Sequence, residues 1–103
     1  MEKQKALEEE FTRELVANAL AAQELGCRTQ RLIQDAQRRG GAEAVRAMLA
    51  RRQATPDAHL LARAGRLELS CEALVTRGKY SPLFTDQEAD ACLAFLCEAG
   101  YYG

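Results

Sequence analysis

Four residues near the C-terminal end, Thr85-Asp86-Gln87-Glu88, constrain this chain more than any others. They form a capping box, in which the Thr hydroxyl accepts the Glu88 N–H and the Glu carboxylate reaches back to the Thr85 N–H. A helix must start there, and it runs to Ala99. Ala89, Cys92, Leu93, Phe95, Leu96 and Ala99 form its core face, with Cys97 at the margin and Phe84 and Ala89 at the hydrophobic-staple positions. Gly100 stops it. The box belongs to a final third, Gly65–Gly103, that holds most of the punctuation. Arg66-Leu67-Glu68-Leu69 alternates and predicts an extended connector that buries both leucines. Ser70 caps a helix from Cys71 to Arg77 that buries Cys71, Leu74 and Val75, and Gly78 closes it. Ser81, preceding Pro82, is expected to be extended.

The same signals divide the rest of the chain. Leu7, Phe11, Leu15, Ala19, Ala22 and Leu25 recur at helical spacing, with Val16 and Leu20 widening the face, so residues 2–25 predict one long amphipathic helix. About 24 residues would span roughly 36 Å, so residues 1–10 are expected to project or fray. Gly26 ends that helix. Thr29 is an N-cap candidate for a helix to Arg39 with Leu32, Ile33 and Ala36 inside. Gly40-Gly41 breaks the chain before a helix from Ala42 to Arg52, on which Ala44, Val45, Met48 and Leu49 face inward. Thr55-Pro56 predicts a cap and first helical residue for a short helix ending at Ala64, with Leu60 and Leu61 buried. Ala, Leu, Glu, Gln and Arg dominate while β-branched residues are sparse, which agrees with helices throughout. The expected fold is all-α: a compact bundle of about five to six helices with a long N-terminal helix, in a single domain over 1–103.

Chemistry is less legible. Cys27, Cys71, Cys92 and Cys97 include no C-x-x-C pair and meet only one histidine, His59. Cys92 and Cys97 stand too far apart on one helix to bridge. Reduced core thiols in a cytoplasmic protein are expected, with no metal and no cofactor. The start MEKQKALEEE has no apolar run, so neither a signal peptide nor a membrane span is expected. His59 has no evident partner and reads as an edge residue. Glu68 and Glu72 would share a face only if their helix began before Ser70. No nucleophile–base spacing or phosphate loop is present, and the chain is read as non-enzymatic.

Charge is the one global feature that points outward. Residues 1–27 carry three Lys/Arg against six acids, residues 28–66 nine arginines against three acids, and residues 67–103 two basic against six acidic groups. Such an acid–basic–acid layout favours self-association or docking to a charged protein partner. Arg31, Arg38, Arg39, Arg46, Arg51 and Arg52 are the candidate partner-binding residues, Arg being suited to bidentate pairing. The alternative is a nucleic-acid-binding accessory role for the arginine-rich helices of 28–66, the two helices around Gly40-Gly41 being loosely like a helix-turn-helix. A sequence pI of about 5.8 argues against it.

The run Gly65-Arg66-Leu67-Glu68-Leu69-Ser70, then Glu72-Ala73-Leu74-Val75, Leu83-Phe84-Thr85 with Glu88 and Ala91, and Gly100-Tyr101, resembles a family of small uncharacterised bacterial and prophage proteins. The likeness extends upstream through Gly40-Gly41, Glu43-Ala44 and Leu49 and covers residues 20–102. It departs at Cys27–Thr29, where an aromatic and a proline are expected, and at Cys71, where an aliphatic residue is expected. The resemblance implies a compact helical domain from a bacterium or phage; in that setting the interaction module expected from the charge layout would be an adaptor or an inhibitor of a larger protein. It implies no activity and no catalytic residue.

Overall fold

In a computed structural model that describes residues 2–101, the chain folds as six α-helices with two short 3-10 segments. The helices are α1 (Glu2–Glu24), α2 (Gln30–Arg39), α3 (Gly41–Ala50), α4 (Ala58–Arg63), α5 (Cys71–Val75) and α6 (Asp86–Glu98). No strand occurs among the described residues. The 23 residues of α1, about 35 Å at 1.5 Å each, set the long axis of a molecule 39 × 26 × 23 Å across. Phe11, Leu15, Ala19 and Ala22 form its buried stripe. Residues 4–6 are helical and exposed, and from residue 4 onward Leu7 is the first side chain of α1 against the core. Leu20 does not widen the stripe: it stands half a turn from Phe11 and is 51% exposed. Leu25 lies beyond the last helical residue, where the chain turns, and is exposed too.

The main core gathers Phe11, Leu15, Leu32, Val45, Met48, Leu74, Tyr80, Leu83 and Cys92 between α1, α2, α3, α5 and α6. A second cluster, Ala22, Cys27, Leu61, Leu67 and Leu69, lies under α4. Leu93, expected inside, is exposed on α6. Cys27, Cys71 and Cys92 are buried free thiols, and Cys97 is exposed. Burial pushes Cys71 and Cys92 up to about 12, and the Glu72 carboxylate adds to both, so neither is a thiolate near neutral pH.

α1 and α3 approach closely at Gly41. A Cβ there would lie 2.9 Å from the Thr12 Cα and 3.1 Å from the Phe11 ring. The Gly41 N–H donates to Thr12 Oγ1 at 2.8 Å, and that hydroxyl donates onward to the Glu8 carbonyl. Gly40, the single residue between α2 and α3, has φ +91. This one-residue corner is tighter than the three or four residues of a helix-turn-helix, so that likeness does not hold. Gly41→Ala is expected to destabilise the fold by about 2 kcal/mol through overpacking against backbone. Gly78→Ala, where a Cβ meets nothing, is the control. Equal urea midpoints for the two variants would refute the close-packing account.

Several boundaries moved for identifiable reasons. Thr29 caps nothing; its buried hydroxyl donates to the Ala19 carbonyl at 2.7 Å and ties the start of α2 to α1. α3 begins one residue early and stops at Ala50, because Arg52 turns left-handed at φ +56. Thr55 and Pro56 do not open α4, which starts at Ala58 after a left-handed Asp57. Arg66–Leu69 is not extended but includes a 3-10 turn, Leu67–Leu69, that still buries both leucines. α5 ends at Val75, and Gly78–Leu83, with Pro82 inside it, is a second 3-10 segment.

That segment is pinned to α1. Buried Tyr80 donates its hydroxyl to Glu14 Oε1 at 2.7 Å, Arg77 pairs with Glu14 Oε2 at 2.7 Å, and Lys79 pairs with Glu10 at 2.8 Å. Burial first, then the Glu14 hydrogen bond, holds the Tyr80 phenol above its ordinary range. At α6 both halves of the capping box are formed. Thr85→Ala should therefore cost about 1 kcal/mol of stability, measurable by urea unfolding. A change within error would mean the box is redundant.

Candidate functional site

The six candidate arginines occupy three places. Arg31 of α2 and Arg51, just after α3, flank one cleft of about 150 Å³ lined by Leu32, Ala44, Ala47 and Met48, with Asp35 on its rim. Arg38 lies seven residues after Arg31, two helical turns on, so it extends the row along the same face of α2. Arg31, Arg38 and Arg51 are exposed, and none forms an ion pair among the described residues. Arg39 and Arg46 line a crevice of about 50 Å³ at the Gly40-Gly41 corner, opposite Glu8 and Glu43. Arg52 lines a different cleft, beside Leu49 and Phe95.

Arg46 is committed inside the fold. It pairs with Glu43 Oε1 at 2.8 Å, donates to the Leu83 carbonyl, and lies 5.6 Å from the centre of the Phe84 ring. It joins α3 to the segment before α6 and is half-buried, unlike the other five.

Two further arginines of the basic stretch are paired. Arg28 donates its backbone N–H, Nε and Nη2 to the Asp57 carboxylate at 2.9, 3.0 and 3.2 Å, clipping the α1–α2 loop to the loop before α4. The Arg28 side chain, then its backbone N–H, holds Asp57 down at about 2. A depressed carboxyl stabilises above its unfolded value, 3.8, and that stabilisation is lost as pH falls through about 2. Arg66 pairs with Glu68 at 2.6 Å. His59 is exposed on α4, at the edge of a shallow cleft with Ala62, Phe95 and Ala99.

One constellation escaped the sequence reading. Glu72, in the first turn of α5, is 2% exposed. Its Oε1 accepts the Thr55 hydroxyl at 2.6 Å and its Oε2 accepts the Thr55 N–H at 3.1 Å, while Thr55 Oγ1 accepts the Cys71 N–H at 2.9 Å. Glu68, by contrast, is exposed on the 3-10 turn, so the two carboxylates do not form a pair. Burial raises the Glu72 carboxyl, and the Thr55 hydrogen bonds offset this only in part. The sequence signal was Thr55 itself, a residue equally suited to capping a helix or to holding a carboxylate.

Among the described residues no group of His, Cys, Asp and Glu is arranged to hold a metal ion, and no helix is long and apolar enough to cross a membrane. No known protein family, characterised protein or solved structure matches the chain.

Proposed function

We propose that this chain is a small non-enzymatic protein-interaction module that docks an acidic segment of a larger protein on the α2–α3 face. One observation carries the reading: Arg31 and Arg51 line one mixed polar and apolar cleft with Leu32, Ala44 and Met48, and neither forms an ion pair among the described residues, Asp35 of the same cleft included. Carboxylates of a partner would pair with the two guanidinium forks while one aliphatic side chain fills the cleft over Met48. In the bacterial or phage setting that the resemblance implies, such a module acts as an adaptor or an inhibitor. The dispersal of the arginines over three places supports a compact acidic patch as the target. A nucleic-acid backbone would call for a continuous track.

The test is titration of a short Glu-rich peptide carrying one leucine, followed by calorimetry. Arg31→Glu with Arg51→Glu should weaken binding by about ten-fold or more, while Arg63→Glu should leave it unchanged. Peptide binding that ignores both reversals would sink the proposal. Tight salt-sensitive binding of duplex DNA without peptide binding would transfer it to the nucleic-acid reading.

A further inference from the structure

On the other flank of α3 lies a cleft of about 220 Å³ between Leu49, the loop Arg52–Ala54, α5 and α6. Its walls are largely apolar, supplied by Leu49, Ala91 and Phe95, and the buried residue Glu72 lines it. We propose that this cleft is a binding site for a compact alkylammonium group, its ammonium on the Glu72 carboxylate and its apolar body against Leu49, Ala91 and Phe95. The ammonium comes from a free small amine or from a lysine side chain.

Three observations carry this. First, a carboxylate has room for about four hydrogen bonds, and Glu72 accepts two, both from Thr55. Second, no Lys, Arg or His among the described residues pairs with it, although buried carboxylates almost always have a counter-charge. An ammonium would supply both the missing charge and the missing donors. Third, the walls suit an alkyl chain, and Phe95 brings an aromatic ring, a favourable neighbour for a cation. A cavity of about 150 Å³ admits benzene, so this one has room for a four-carbon chain. Burial raises the Glu72 carboxyl, as expected of a group whose charged form lacks compensation.

Arg52 sets the selectivity. Held in left-handed backbone at φ +56, it lines the same cleft without pairing to Glu72. Its charge opposes any cation in the cleft and a doubly charged one most, so a singly charged amine is preferred over a diamine.

Amide chemical shifts in nuclear magnetic resonance give the test. n-Butylammonium chloride should produce saturable shifts at Glu72, Ala91 and Phe95 at a concentration about ten-fold lower than n-butanol, its neutral counterpart. Glu72→Gln should erase that difference, and Ala91→Leu, at an exposed position, should block both probes by filling the cleft. N-acetyl-lysine methylamide separates the sources: matching shifts assign the site to a protein lysine, and shifts with butylammonium alone assign it to a free amine. Equal response to amine and alcohol, or no saturable shifts in this cleft, overturns the proposal. If Glu72→Gln does not fold, Ala91→Leu decides: retained butylammonium binding overturns the site and lost binding supports it.

Discussion

Phe11→Ala should lower the unfolding free energy by about 4 kcal/mol. Phe11 is fully buried in the middle of α1. Its ring meets Tyr80 edge-on at 5.0 Å and 85°, and Phe84 at 5.2 Å, so one side chain joins α1 to the inside of the Gly78–Leu83 segment and to the residue that follows it. Beneath it, Gly41 exists without a side chain because Phe11 and Thr12 fill that space. Truncation therefore forfeits the buried area, leaves a cavity and breaks two aromatic contacts, each worth about 0.5–1.5 kcal/mol beyond its area. A domain of this size is stable by only about 5–15 kcal/mol, and the melting temperature should fall by about 20 °C. Leu20→Ala is the comparison: the same helix, an apolar residue, but on the solvent side, with an expected change within about 0.5 kcal/mol. Similar losses in the two variants would mean that α1 is held by something other than its Phe11 stripe.

That contrast shows how far the sequence could be read. Helical period placed Phe11, Leu15, Ala19 and Ala22 correctly, because burial of a repeated face is a local pattern. Caps and breaks did as well where the motif used neighbouring residues: Thr85 with Glu88, Ser70 with the Ala73 N–H, and Gly26, Gly40, Gly65 and Gly100, all at positive φ. The failures came where a short polar side chain took a distant partner. Thr29 reaches back to Ala19, and Thr55 reaches forward to Cys71 and Glu72. Propensity treats every Ser or Thr before a helix as a cap, and nothing within four residues of Thr55 reveals a carboxylate 17 positions away. The arginines followed the same rule. Composition identified the basic stretch, but which arginines are spent internally depended on where Asp57, Glu43 and the Leu83 carbonyl came to lie.

Thr55→Val should cost about 3 kcal/mol near neutral pH and less in acid. Valine keeps the shape of threonine, so packing is nearly unchanged and the hydroxyl is what is lost. That hydroxyl donates to buried Glu72 and accepts the buried Cys71 N–H. A hydrogen bond to a charged group contributes about 1.5–3 kcal/mol, and a stranded buried donor costs about 1–3 kcal/mol. The pH dependence follows from the direction of the Glu72 shift. Burial already holds its folded value above the ordinary 4.5, and the Thr55 hydroxyl opposes that rise. Removing the hydroxyl lifts the folded value further. A raised carboxyl binds its proton more tightly when folded, so the stability linked to that proton is fully present below 4.5 and is lost as pH rises through the folded value. Both proteins share the unfolded value, so the deficit of Thr55→Val relative to the wild type should widen only as pH rises through the wild type's own raised folded value, above 4.5. Glu72→Gln carries no titrating carboxyl, so adding Thr55→Val to it should give a deficit that no longer changes with pH. Urea unfolding of all four proteins at acid and neutral pH closes the cycle. A Thr55→Val deficit independent of pH would show that the hydroxyl serves the Cys71 N–H alone and that Glu72 is held by the backbone of residue 55.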